Sequence, residues 1–155
     1  MLLSKRSQDR IKAKIRQLTP RNWGQSLAAC IDRLNVSLRG WLGFFRIVTE
    51  AEERTLQTLD AHIRRRLRAI VLRHWKRRRT IVRRLTRLGA RASTAGRAVY
   101  RENKSWWALS AAQPVNKALS NAYFRDRNLL SLRERWRELR SQSVVGPTQL
   151  VLSLG

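Results

Sequence analysis

Acidic residues are scarce in this chain. Ten Asp or Glu stand against 34 Lys or Arg, which gives a formal net charge of +24 over 155 residues. The shortage is also local: the 41 residues between Asp60 and Glu102 contain no acid and 15 cations. Surfaces ordinarily mix signs to limit self-repulsion, so such a run calls for a polyanion that neutralises it, with nucleic-acid phosphate first in order. An anionic membrane surface and acidic proteins follow. Cys30 is the one cysteine, which excludes a disulfide framework and a thiolate zinc site; it is expected as a small core residue in a reducing compartment. No apolar run approaches the length of a membrane span. Met1 to Arg6 lacks the apolar region of a secretory signal, and its regular apolar continuation favours a structural helix over a basic transit peptide. The two histidines, His62 and His74, lie twelve residues apart with no ligand at metal-binding spacing. There is no glycine-rich phosphate loop, no Ser/His/Asp set and no carboxylate pair placed to hold two Mg²⁺ ions. The expectation is a protein without an active site, a metal or a cofactor.

What is present is helical periodicity. Apolar residues make up 43% of the chain, enough for one compact domain. Residues 4–18 repeat Ile11, Ile15 and Leu18 on one side, and Thr19-Pro20 ends that helix because the residue before proline is pushed out of the α region. Ser26 caps a second helix carrying Leu27, Cys30, Ile31, Leu34, Leu38, Trp41, Leu42 and Phe45. Gly40 inside it suggests close packing or a bend. Thr49-x-x-Glu52 is a capping box for a long third helix, about Ala51 to Lys76, whose stripe is Leu56, Leu59, Ile63, Leu67, Ile70, Val71 and His74. Its other face reads as almost wholly cationic.

Thr80 is expected to cap a fourth helix, Ile81 to Leu88, with Gly89 in the left-handed C′ position. Residues 90–113 read as loops with one short helical turn. Pro114 opens a helix to about Phe124, and Ser131-x-x-Glu134 caps a last one to about Arg140. The fold class is therefore all-α, a bundle of five to six helices spanning residues 1–140. The uncharged residues 141–155 are expected to be an unstructured tail. Core positions are Ile15, Leu34, Leu38, Trp41, Phe45, Leu59, Ile63, Leu67, Ile70 and Trp75.

The candidate nucleic-acid contacts follow from charge and aromatic placement. Arg64, Arg65 and Arg68 lie off the apolar stripe. Lys76, Arg77, Arg78 and Arg79 cluster at the end of the long helix, and Arg83, Arg84 and Arg87 continue the surface. The excess of arginine over lysine favours bidentate phosphate contacts and stacking. Lys104, Trp106 and Trp107 form a second candidate group; these tryptophans either stack on unpaired bases or pack against the core. Trp41, Trp75 and His74 are expected in the core or at its edge.

Three segments, in order, resemble the maturase-specific domain (domain X) of group II intron reverse transcriptases. Leu34-Asn35-Val36-Ser37-Leu38-Arg39-Gly40-Trp41-Leu42-Gly43-Phe44-Phe45 resembles the family's LNPxLRGWxNYF. Leu59-Asp60, then Ile63-Arg64-Arg65-Arg66-Leu67-Arg68 to Trp75-Lys76 and Arg84-Leu85-Thr86-Arg87-Leu88-Gly89, is similar to LDxxIRRRLRxxxxxxWK and RLxxLG. Ser105-Trp106-Trp107-Ala108-Leu109-Ser110 and Val115 to Phe124 resemble WxxS and xNxALxNAYF. Val36 replaces the family's proline, and Asn128 stands where the family has glycine, at a turn that asparagine also tolerates.

The resemblance covers about residues 4–140 and implies a thumb-like helical bundle. Its implied job is to bind group II intron RNA and assist its folding and splicing. A separate reverse transcriptase chain is a further partner it allows. The polymerase's Tyr-Ala-Asp-Asp motif and the zinc-binding endonuclease are absent from this sequence, so neither activity carries over. A free-standing maturase domain, a piece of a split gene and a non-functional truncated fragment all fit. A generic basic DNA-binding module of a mobile element is the alternative outside the family. A membrane role is disfavoured, and the compartment expected is a bacterial cytoplasm ahead of an organelle matrix.

Overall fold

The structure, a computed structural model, describes residues 4–45, 53–101 and 105–142. It is all-α, with no strand among the described residues. The helices are α1 (Lys5–Leu18), α2 (Leu27–Phe45), α3 (Glu53–Trp75), α4 (Arg78–Arg87), α5 (Ala92–Val99), α6 (Trp106–Leu109), α7 (Gln113–Ala118), α8 (Asn121–Arg125) and α9, residues 132–142. The first three follow the apolar spacing closely. Ser4 Oγ accepts the Ser7 N–H to cap α1, and Ser26 Oγ accepts the Ala29 N–H at the start of α2. Ile15, Leu34, Leu38, Leu59, Ile63, Leu67 and Ile70 are buried as expected. Burying each such side chain contributes about 1.5–3 kcal/mol. Trp41 and Trp75 pack against this core while remaining partly exposed. The Phe45 side chain, the Thr49/Glu52 capping box and residues 143–155 lie outside what the structure describes. A Cβ on Gly40 would meet nothing within 4 Å, so no close approach of another element accounts for that glycine.

Helix α3 departs from its expected character. Arg66 to Leu72 form an unbroken buried run, so α3 is enclosed by other elements over two turns. It packs against α1, α2, α4 and α6. The other corrections lie downstream. Lys76 takes the left-handed conformation (φ 63°), and Arg77 is extended, so α4 begins at Arg78 and Thr80 falls inside its first turn. Residues 90–113 hold the eight-residue α5 as well as α6. The helix expected from Pro114 to Phe124 is two: Ser120 is extended and its Oγ accepts the Tyr123 N–H, which starts α8 afresh. Helix α4 ends at Gly89 (φ 112°) as expected, with Ala90 N–H on Leu85 O and Gly89 N–H on Thr86 O, the paired bonds of a Schellman turn.

Two motif residues join the halves of the chain. Asn128 adopts φ 69°, the left-handed turn anticipated for it. Its carbonyl accepts from Asn35 Nδ2 at 2.6 Å, while Asn35 Oδ1 accepts the Leu130 N–H at 2.9 Å. Asp60 then caps α9 from outside: Oδ1 accepts the Leu132 N–H, and Oδ2 accepts the Arg133 N–H and the Ser131 hydroxyl. A carboxylate at a helix N-terminus satisfies orphan N–H groups and complements the dipole. Burial pushes the Asp60 pKa up despite those three bonds.

Candidate nucleic-acid interface

The arginines of the acid-free run divide into two populations. Those near its start turn inward and close the ends of other helices. Arg66, 7% exposed, donates to Thr19 O at 2.6 Å and to Thr19 Oγ1 at 3.1 Å, beyond the last turn of α1. Arg65 donates to Trp107 O and Ser110 Oγ at the end of α6, and its guanidinium lies 3.9 Å from the Trp107 ring. Arg68, also 7% exposed, donates to Leu119 O at 2.7 Å and reaches Asn121 Oδ1, holding the break between α7 and α8. Burial and the neighbouring Arg64 bring its pKa down to about 10. Arg64 is half-buried beside a cavity of about 140 Å³ that Asp60 and Glu134 also line.

The expectation of an open cationic face at Arg64, Arg65 and Arg68 is thus corrected. A guanidinium on a long stem reaches carbonyls that helix-face arithmetic does not see. One signal was available: Arg66 sits three residues after Ile63 and four before Ile70, at core spacing.

The second population faces outward. Lys76, Arg77, Arg78, Arg79, Arg83, Arg84 and Arg87 are all exposed. Helix α4 buries Ile81 and Leu85 and half-buries Val82, so its cations fan over the opposite side. The left-handed Lys76 makes the corner, at about 1–2 kcal/mol for a residue with a side chain. The cluster therefore sits at the junction of two helices. Lys76 and Arg77 follow the C-terminus of α3, where cations are favoured, while Arg78 and Arg79 occupy the first turn of α4, where they oppose the dipole. Arg77, the N-cap, makes no side-chain capping bond. A phosphate at this corner would relieve both the like-charge repulsion and the uncapped N–H groups. No ion pair among the described residues falls between residues 61 and 101; those present join Glu53 to Arg133 and Arg137, Arg125 to Glu134, and Arg135 to Glu138.

The aromatic candidates are more enclosed than their loop assignment implied. Trp106 and Trp107 open the short α6 and are both partly buried. Trp107 is approached by Arg65, Arg21 and Arg66, so its faces are largely taken. Lys104 lies outside the described residues. His74, expected at the core edge, bonds through Nε2 to Trp23 O at 2.8 Å. His62 Nε2 is buried with no hydrogen-bond partner. Burial, then Arg66, Lys12, Arg16 and Arg65, holds the His62 pKa below its ordinary value. Cys30 is buried, and desolvation raises its thiol pKa to about 11, which suits an inert core residue. Among the described residues no His, Cys, Asp or Glu cluster could hold a metal ion. No helix there is long and apolar enough to cross a membrane.

Fold and surface together define an all-helical domain whose exposed cations gather at the α3–α4 corner and along α4. The chain belongs to the group II intron maturase-specific domain family, whose model matches residues 8–88. That match takes in the Leu34–Phe45 and Leu59–Gly89 motifs almost entirely and stops before α6. A search of curated proteins finds no match to the chain.

Proposed function

We propose that this domain binds group II intron RNA through the outward cations of the α3–α4 corner and α4, and so assists the intron to reach its splicing-competent fold. The observation that carries the reading is the segregation of the arginines. Arg65, Arg66 and Arg68 spend their donors inside the fold, whereas Lys76, Arg77, Arg78, Arg79, Arg83, Arg84 and Arg87 stand exposed with no acid in the same stretch. Family membership supplies the RNA class. Arginine forks match phosphate geometry, and a folded RNA presents its phosphates in one fixed arrangement.

The test is a triple change, Arg77→Gln, Arg78→Gln and Arg79→Gln. It should weaken intron-RNA binding and flatten the log–log salt slope by about two to three units, with the helical signal intact. Binding and slope that stay as they were would exclude the corner as the contact. We further propose that the domain acts by binding and performs no chemistry. Purified chain given primer, template, nucleotides and Mg²⁺ should extend nothing, and extension that survives removal of contaminating polymerases would overturn this. A separate reverse transcriptase chain is the protein partner we propose, and a bacterial cytoplasm the compartment.

A further inference from the structure

Tyr100 is the one large aromatic among the side chains the structure describes that stands exposed, at 55%. The other described rings have company. Trp23, Trp75, Trp107, Tyr123 and Trp136 each lie against an arginine, and Trp41 and Trp106 pack on the core.

Tyr100 is held on a rigid support. It is the C-cap of α5, its N–H bonds Gly96 O, and the neighbouring Val99 and Ala95 are buried beneath. Helix side chains lean back over the preceding turn, which here carries Gly96 and Arg97. That turn is bare at Gly96, where an added Cβ would meet nothing within 4 Å. Arg97 and Arg101 are both exposed, and α5 packs against α4.

We propose that Tyr100, beside the open surface at Gly96, forms a stacking site for one unpaired RNA base, with Arg97 and Arg101 on its flanking phosphates. This rests on the RNA-binding reading and narrows the ligand to RNA with a base out of the helix stack. A ring with a free face stacks on any base, and two forked cations beside it suit the adjoining backbone. A continuous duplex offers no such face.

The test compares two stem RNAs, one fully paired and one with a single-nucleotide uridine bulge, against the full chain. Tyr100→Ala should weaken the bulged stem by roughly 5- to 150-fold while changing the paired stem little, as loss of one stack implies; Tyr100→Phe should retain binding. Gly96→Leu keeps the ring and sets a side chain on the open surface beside it, so it should also lose the bulge preference. Light-induced cross-linking of 5-iodouridine placed at the bulge should attach to Tyr100. Equal losses on both stems with Tyr100→Ala, or a cross-link only elsewhere, would overturn the stacking site. The triple Gln change at residues 77 to 79 is run alongside. If it weakens both stems while Tyr100→Ala does nothing, the stacking site fails and the RNA reading stands; if neither change matters, both fail.

Discussion

Replacing Arg68 with methionine separates the inward arginines from the outward ones. In the native fold the guanidinium satisfies the buried Leu119 carbonyl at 2.7 Å and touches Asn121 Oδ1 at 3.4 Å. A hydrogen bond to a charged group contributes about 1.5–3 kcal/mol net, and an orphaned buried carbonyl costs about 1–3 kcal/mol. Against that stands the burial of the charge. Burial brings the Arg68 pKa down to about 10 from the ordinary 12.5, a penalty on the charged form that is carried at neutral pH. Methionine keeps much of the stem volume, removes the penalty and leaves Leu119 O unpaired. The two sides offset in part, and the net expected loss is about 1–3 kcal/mol, or roughly 3–12 °C in melting temperature for a domain of this size. Thermal melting followed by circular dichroism reads it. RNA affinity and its salt slope should stay within error for the folded variant. An unchanged melting temperature with a salt slope lowered by about one would show that Arg68 contacts phosphate and refute the inward assignment.

Three further outcomes are expected. Leu67→Ala, at a side chain 0% exposed, should cost about 2–5 kcal/mol in urea unfolding, and a cost within about 0.5 kcal/mol would put the α3 stripe on the wrong face. Asp60→Ala should remove the carboxylate from the α9 N-terminus, leaving Ser131 Oγ on the Glu134 N–H, and cost about 1–3 kcal/mol, with hydrogen exchange rising at Leu132 and Arg133 ahead of the α3 core; uniform exchange would deny the carboxylate its local role. His62 has a folded pKa below 6.5, so the unfolded chain takes up a proton first: stability should fall as pH drops from 6.5 through that lowered value. His62→Phe should flatten that slope, and an unaltered pH profile would remove His62 as its source.

The long helices were legible because apolar spacing over several turns leaves little choice. The stripes of α1, α2 and α3 were placed within two residues of their described ends. The left-handed Gly89 and Asn128 were legible from backbone preference. Helix α5 was not, because Ala92 to Val99 holds only Ala95, Ala98 and Val99 as apolar packing side chains amid Ser, Thr, Gly and Arg, a composition that reads as loop. The division at Ser120 was hidden by good helix formers on both sides of a serine that caps. For the candidate site, exposure at Lys76 to Arg87 agrees with the reading of the charge run. Arg65, Arg66 and Arg68 could not be told from their neighbours by type, since their partners lie 42 to 53 residues away in sequence.

If the exposed cations of the α3–α4 corner recognise folded intron RNA as proposed, they do more than attract any polyanion. Competition binding at physiological salt measures this directly, with labelled group II intron RNA challenged by bulk transfer RNA and by random duplex DNA. With about six to ten phosphates neutralised, affinity for duplex should fall roughly 10³–10⁵-fold between 50 and 200 mM salt. Intron RNA should retain its advantage there, and the Arg77, Arg78 and Arg79 change to Gln should reduce it. Equal affinity for intron RNA and random duplex, untouched by that change, would reduce the corner to a non-specific polyanion contact.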